Sequence, residues 1–409
     1  MQTFISDQNI STVEGKEADR ILRKCVHCGF CSATCPTYQL KGDELDGPRG
    51  RIYLIKNLLE GNEASKETQT HLDRCLTCRA CETTCPSGVE YGHLLDIGRQ
   101  ISEREIPRTL LDQSNRYFLG KIIPDRKLFS GLLKIGQFFR SVLPQNLAKN
   151  IPEKNEVNDK WPSSKHERKM LILEGCAQPS LTPSTNIATA KVLDALGISL
   201  IRESEAGCCG AVNQHLSQTG DALKHIRRNI DAWWPRIEAD VEAIVITASG
   251  CGTMVKDYGY LLRNDPVYVE KAKQVSELCF DLVEIVEKED LSLLKLKKND
   301  QGKIVYQSPC NLQHGQKLSG RVESLLNKFS YELSPVKDSH LCCGSAGTYS
   351  ILQSEMADQL RENKLKNLMA DQPDIILTAN IGCQQFLQQK TDLPVMHWIE
   401  LIERRMQIS

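Results

Sequence analysis

The chain has 409 residues, 25% of them charged, and its acidic and basic side chains balance to a formal net charge of -1. That balance gives no electrostatic argument for a phosphate backbone, which requires a concentrated basic surface, so no nucleic-acid partner is expected, and the length predicts about two to four domains rather than one core. The 17 cysteines include two adjacent pairs, Cys208-Cys209 and Cys342-Cys343, which suit metal ligation in a reducing compartment better than a secreted disulfide framework.

The first residues, MQTFISDQNISTVEGKEADR, are polar and lack the charged-then-apolar order of a signal peptide, and no stretch has the length of a membrane span. The expectation is a cytoplasmic protein, free or held by partners as a peripheral protein on the cytoplasmic face of the inner membrane. Residues 14–24 read as a short amphipathic helix. It leads into Cys25, Cys28, Cys31 and Cys35, followed by Pro36, and the same run returns as Cys75, Cys78, Cys81 and Cys85, followed by Pro86. C-x-x-C-x-x-C-x-x-x-C-P is the bacterial ferredoxin spacing for a 4Fe–4S cluster, and two copies predict two clusters. A cubane needs four converging thiolates, whereas one tight turn supplies three. In two-cluster ferredoxins the last cysteine of each run crosses to the other cluster. The expected ligand sets are therefore Cys25, Cys28, Cys31 and Cys85 for one cluster, and Cys35, Cys75, Cys78 and Cys81 for the other. Zinc is the competing reading, but it closes with four ligands and gives no reason for a third cysteine three residues on. Arg23, Lys24, Arg74 and Arg79 adjoin these cysteines and either offset cluster charge or form an ordinary solvated face.

Gly47-Pro48 then breaks the chain, and 49–60 reads as a helix with Ile52, Ile55, Leu58 and Leu59 on one face, expected to pack across the clusters and keep water out. Helices over 68–73 and 91–106 complete a helical domain spanning 1–110. Residues 111–168 form a connector in which Leu128, Leu132, Ile135, Phe139 and Val142 make a helical stripe, with Lys127, Lys134 and Arg140 among the polar positions. Such a helix lies on a membrane surface or packs on its own domain or a partner subunit. Residues 150–168 are polar and proline-punctuated, as linkers are.

The second half is a repeat. Cys176, Cys208, Cys209 and Cys251 recur at nearly constant offset as Cys310, Cys342, Cys343 and Cys383, each adjacent pair being followed by glycine. The units span 169–290 and 303–409. Apolar strands over 170–173 and 243–247, and again over 303–306 and 375–378, alternate with helical patterns such as 185–196 and 221–234, which predicts parallel sheets. Ligands gather beyond the carboxyl ends of such strands, where Cys176, Cys251, Cys310 and Cys383 fall. His215 and His314, a few residues past a repeat cysteine, are candidates for carrying protons, although a core or surface role is the ordinary expectation. Cys279 reads as a core thiol.

The segments CPTYQLKGDELDGPRGRIYLIK, NIDAWWPRIEADVEAIVITASGCGTMVKDYG, CCGSAGTYSILQ and TANIGC carry a family likeness. With the tandem cysteine runs they make the whole chain resemble the iron-sulfur subunits of glycolate oxidase. The resemblance implies an all-α two-cluster ferredoxin-like domain followed by two repeated α/β CCG units with parallel sheets. CCG units also occur in heterodisulfide reductase, where five cysteines per unit bind a non-cubane cluster. Here Ala248 and Met254 stand three residues either side of Cys251, and Asn380 and Phe386 likewise around Cys383, so the fifth ligand is missing. Four cysteines per unit leave two readings open, a further iron-sulfur site or small buried thiols.

The family further implies FAD-containing glycolate oxidase subunits as partners, oxidation of glycolate to glyoxylate there, and a quinone or other electron acceptor downstream. No G-x-G-x-x-G follows a strand and opens a helix, so FAD is expected on a partner, with no catalytic residue in this chain. Competing readings are the iron-sulfur subunit of a lactate or glycerol-3-phosphate dehydrogenase, a heterodisulfide reductase-like enzyme, and a free-standing two-cluster carrier.

Overall fold

The computed structural model describes residues 1–142, 144, 151–153, 160–163, 165–297 and 302–407; residues 150, 154–159 and 164 of the linker expected over 150–168 lie outside them. The helix Val13–Lys24 begins where the Thr12 side chain accepts the Gly15 N–H, and it ends on Arg23 and Lys24, which complement the helix dipole. Pro48 opens the helix Pro48–Leu59, its missing N–H costing nothing at that position. Ser65 caps Lys66–Asp73 through the Thr68 N–H, and Tyr91–Glu105 follows. The apolar faces of these helices meet in one core holding Ile21, Leu22, Ile55, Leu59, Leu94 and Leu95, against which Cys25, Cys75 and Cys81 pack. Each fully buried Leu or Ile contributes about 1.5–3 kcal/mol. The cysteine loops are thus anchored to the best-packed part of a helical domain.

The second half forms two four-stranded parallel sheets. β1 (Arg168–Leu173), β2 (Ile198–Arg202), β3 (Ile244–Ile246) and β4 (Cys279–Asp281) take the order β2-β1-β3-β4. β5 (Ile304–Tyr306), β6 (Leu333–Ser334), β7 (Ile375–Thr378) and β8 (Val395–His397) take the order β6-β5-β7-β8. The central strands β3, β5 and β7 are buried along their whole length, as the continuous apolar runs require. In each sheet the direction of strand addition reverses between the first and third strands. There the crossover helices part and a crevice opens at the carboxyl edge.

The helix expected over 221–234 runs over Thr219–Ile237, through Pro235. A proline so near the C-terminus removes one backbone donor, and burial of Trp233 and Ile237 on either side of it outweighs that loss. The two units share a core in which Met170 and Val245 of the first join Ile304, Trp398 and Leu401 of the second. Backbone and side-chain bonds cross the seam: Ser249 N–H donates to the Ala379 carbonyl at 3.1 Å, and the His397 ring bonds the Thr247 carbonyl at 3.0 Å. The connector contributes helices Leu110–Ile122 and Arg126–Phe139. No residue of the latter is buried, so its stripe does not pack on its own domain.

Candidate metal centres

Both cysteine runs fold into the same loop. His27 and Thr77, just before the second cysteine of each run, have φ of 55° and 54°, and Gly29 and Arg79, just after it, have 83° and 58°. Left-handed residues on both sides of one cysteine curl the chain around a point, so three sulfurs of a run face one space. Thr77 and Arg79 adopt with a Cβ what Gly29 adopts freely, so the second loop is the more strained.

Cys25, Cys28, Cys31 and Cys85 line one cavity with Cys81, apolar groups such as Ile52 and Val89, and the polar His27, Arg49 and Ser87, and Cys28 is exposed. Cys35, Cys75, Cys78 and Cys81 line a second. The last cysteine of each run therefore stands in the wall of the other run's cavity. Pro48, Cys81 and Tyr91 border both, so a single layer of side chains separates them. Eight soft sulfurs on two small, mostly apolar cavities fit thiolate-ligated iron-sulfur clusters. As free thiols four of them resist ionisation: burial raises Cys25, lifts Cys31 to about 11, and pushes Cys78 and Cys81 well above the ordinary range. Binding iron there must release protons.

One buried cation answers the charge of the second cavity, and the sequence reading did not find it. Arg51, on the helix Pro48–Leu59, is 1% exposed. Its guanidinium donates to the His71 carbonyl at 2.7 Å, the Thr37 hydroxyl at 3.1 Å and the Asp46 carboxylate at 3.4 Å. The Thr37 hydroxyl lies 3.3 Å from Cys35 Sγ. Burial opposes the charge on Arg51, but Cys75, Tyr91, Cys35 and Asp46 outweigh it and hold the pKa above its ordinary value. Asp46, fully buried, also bonds the His71 ring at 2.8 Å and Arg74 at 3.0 Å. Tyr91 donates its hydroxyl to Cys75 Sγ at 3.6 Å, and Arg99 fixes the same loop by donating to the Cys75 carbonyl at 2.7 Å. Of the four basic residues singled out from sequence, each meets a carboxylate: Arg23 meets Asp19, Lys24 meets Glu90, Arg74 meets Asp46, and Arg79 meets Asp257.

The CCG cysteines also come together, four by four. In the second unit Cys310 Sγ is 3.7 Å from Cys342 Sγ, and Cys343 Sγ is 3.3 Å from Cys383 Sγ. In the first, thiol contacts run from Cys176 to Cys208, to Cys209, to Cys251. Cys176, Cys251, Cys310 and Cys383 lie past the strands that flank the reversal of strand order, and the adjacent pairs lie past the neighbouring edge strands β2 and β6. The glycine after each pair is required: Gly210 and Gly344 have φ of 94° and 92°, and a Cβ would stand 3.1 Å from the Ala222 carbonyl oxygen and 2.5 Å from that of Ala357. Their N–H groups donate to Cys208 Sγ and Cys342 Sγ, both at 3.4 Å.

The two quartets differ in their neighbours. Cys310 and Cys342 pack in one cluster with Cys78 and Leu76 of the first domain, beside the second cavity. Cys209 and Cys251 pack instead with Ile226, Ile230 and Trp233 of their own unit. Lys364, buried near the second quartet, donates to the Asp338 and Ser339 carbonyls at 3.0 and 3.3 Å, and burial lowers its pKa. His314 bonds the Thr83 hydroxyl and the His340 carbonyl, both at 2.9 Å, so it serves as a clamp between domains. His215 lines a cavity with Cys75, Thr77 and Arg99, and burial lowers its pKa. Cys279 is buried at the start of β4.

Comparison with known proteins agrees with this layout. Residues 21–89 match the family model of the 4Fe-4S dicluster domain, and residues 170–256 and 304–388 match that of the cysteine-rich domain. The chain is 52% identical over 407 residues, 100% of both chains, to the glycolate oxidase iron-sulfur subunit of Escherichia coli (strain K12). It is 30% identical over 398 residues to the probable glycolate oxidase iron-sulfur subunit of Bacillus subtilis (strain 168), covering 90% of this chain and 88% of the relative. Lactate utilization protein A of Bacillus licheniformis is 24% identical over 251 residues, which is 58% of this chain and 100% of that one.

Proposed function

This chain belongs to the family of glycolate oxidase iron-sulfur subunits, and on that premise we propose that it is the electron-transfer subunit of a complex whose FAD-containing subunits oxidise glycolate to glyoxylate. The observation that carries the wire is the crossed pair of cavities. Cys25, Cys28, Cys31 and Cys85 would hold one 4Fe–4S cluster, and Cys35, Cys75, Cys78 and Cys81 the other. When bound, such clusters supply the one-electron steps that link a two-electron flavin to an acceptor. The chain's own residues set the conditions for those steps. The helix Pro48–Leu59 and Tyr91 exclude water between the cavities, and Arg51 with Thr37 and Tyr91 brings positive charge and hydrogen bonds to the sulfurs of the second, both of which tune potential.

The acceptor in this reading is a quinone, and the complex sits as a peripheral assembly on the cytoplasmic face of the inner membrane. No helix among the described residues is long and apolar enough to cross a membrane. The domain plan is 1–110 for the cluster domain, 111–168 for the connector, and 169–290 and 303–409 for the CCG units. Their quartets, Cys176, Cys208, Cys209 and Cys251, and Cys310, Cys342, Cys343 and Cys383, are secondary candidate metal sites.

The test is iron and sulfide content with low-temperature EPR on anaerobically purified protein. About eight irons and two interacting cubane signals are expected from the two runs alone. More iron, with a signal lost on Cys343→Ala, would add the second quartet. Survival of both cubane signals in Cys85→Ser would overturn the crossed ligand sets.

A further inference from the structure

The helix Arg126–Phe139 is apolar on more than one side. The side facing the protein mixes half-buried Phe129 and Leu133 with polar anchors: Arg126 donates to Glu174 Oε2 at 3.2 Å and to the Gly175 carbonyl at 3.0 Å, Gln137 to the Pro152 carbonyl at 3.2 Å, and Arg140, just past its end, to Glu153 at 2.7 Å. A second, wholly apolar stripe faces solvent. Leu128, Leu132, Ile135 and Phe139 are exposed, Phe138 is 78% exposed and Val142 75%. At 3.6 residues per turn these six fall on one side of the helix. Lys127 and Lys134 border that side and are exposed, and no acidic residue occurs over 126–142. The preceding helix, Leu110–Ile122, adds exposed Leu110, Leu111, Tyr117 and Phe118.

We propose that this outward face is a membrane-docking surface that inserts into the headgroup region of an anionic lipid bilayer. The inference rests on the reading of the complex as peripheral and names the element of this chain that makes it so. An apolar side of Leu, Ile, Phe and Val bordered by lysine is the pattern of a helix lying in the membrane plane. A protein interface is the poorer match, because lysine is depleted there, while the stripe offers no hydrogen-bonding group to fix a partner's orientation. Fourteen residues are too few to span a bilayer, so the helix lies flat.

The test is sedimentation of the full, cluster-loaded chain with vesicles of phosphatidylcholine, and with vesicles in which a third of the lipid is phosphatidylglycerol. The chain should sediment with the anionic vesicles and stay in solution with the neutral ones. Lys127→Gln and Lys134→Gln should each lower the partition coefficient about fivefold. Ile135→Asp with Phe138→Asp should lower it at least about tenfold, with unchanged cluster absorbance and unchanged electron transfer from the flavin partner to a soluble dye. Equal binding to neutral vesicles, or aspartate variants that bind like the parent, would overturn the proposal. So would aspartate variants that lose the flavin partner but keep vesicle binding, since the face would then be a protein interface. Should the chain stay in solution while the whole complex sediments, the helix assignment fails but the peripheral reading stands through another subunit.

Discussion

Replacing Arg51 with methionine removes a buried charge while roughly keeping the length of the side chain, and the structure sets what that should cost. Arg51 and Asp46 are 1% and 0% exposed, so neither has water to fall back on. Removing one partner of a buried pair costs about 3–5 kcal/mol, mostly from the charge left behind. Asp46 would keep its bonds to His71 at 2.8 Å and Arg74 at 3.0 Å, which places Arg51→Met near the lower end, at about 3 kcal/mol. Asp46→Asn should cost at least as much, because it strands Arg51. The double variant should cost about 2 kcal/mol less than the sum of the two, since neither charge then remains unpaired. Anaerobic urea unfolding followed by cluster absorbance reports the first domain. Redox titration by EPR should show the second cluster's potential moving negative in Arg51→Met and the first cluster's staying in place, because the lost cation faced Cys35 and Cys75. A loss below about 1 kcal/mol with both potentials unchanged would refute the account of Arg51 as the counter-charge of the second site.

Cys28→Ser or Cys78→Ser should abolish acceptor reduction by the complex while leaving flavin reduction by substrate intact, as stopped-flow spectroscopy would resolve; normal acceptor reduction would break the wire. Gly344→Ala should destabilise the second unit by about 2 kcal/mol or more, and Gly210→Ala the first by less, because the new Cβ meets a carbonyl oxygen at 2.5 Å in one and 3.1 Å in the other. Equal urea midpoints would count against this ranking. Asp281 gives a pH signature: burial lifts its carboxyl to about 7. The folded chain therefore holds a proton that the unfolded chain loses near pH 4, so this stability is complete below about pH 4 and is lost as pH rises through about 7, about 4 kcal/mol in all. Asp281→Asn should flatten that decline in melting temperature, and parallel profiles would contradict it. Cys342→Ala should alter the EPR signal of the second cluster and Cys208→Ala should not, since only Cys342 packs with Cys78.

What could be read from the sequence was whatever local chemistry fixes. The cysteine spacing determines which sulfurs share a loop, and apolar runs such as MLIL and IILT can be satisfied only by strands covered on both faces, so the helical domain and the parallel sheets were legible. Arg51 was not. In GPRGR nothing distinguishes it from Arg49, and the two diverge only because the helix turns Arg51 into the domain and leaves Arg49 on the surface, paired with Glu44. The stripe from Leu128 to Val142 was visible as a pattern, but periodicity shows that a helix has two faces and not which one meets the protein. That depended on Glu174 and Gly175, distant in sequence, which capture Arg126 and leave the side of Leu128, Leu132 and Ile135 outward.

The repeat shows the same limit in another form. Nearly constant offsets between the two cysteine quartets predict two equivalent sites, and locally the structure makes them so, down to the positive φ of Gly210 and Gly344 and the sulfur each N–H meets. Equivalence ends at the first domain, which is present once and cannot present the same surface to both units. To the second unit it offers Leu76 and Cys78, which pack on Cys310 and Cys342. To the first it offers Arg79, which bonds Asp257 at 2.5 Å, and His93, whose ring stacks on Tyr260 at 3.7 Å. One contact is apolar packing that includes cysteines of both domains, and the other is an electrostatic and aromatic clamp. The second cavity therefore has a thiol-lined neighbour on one side and a buried ion pair on the other, and of the two quartets only the second packs against one of its cysteines.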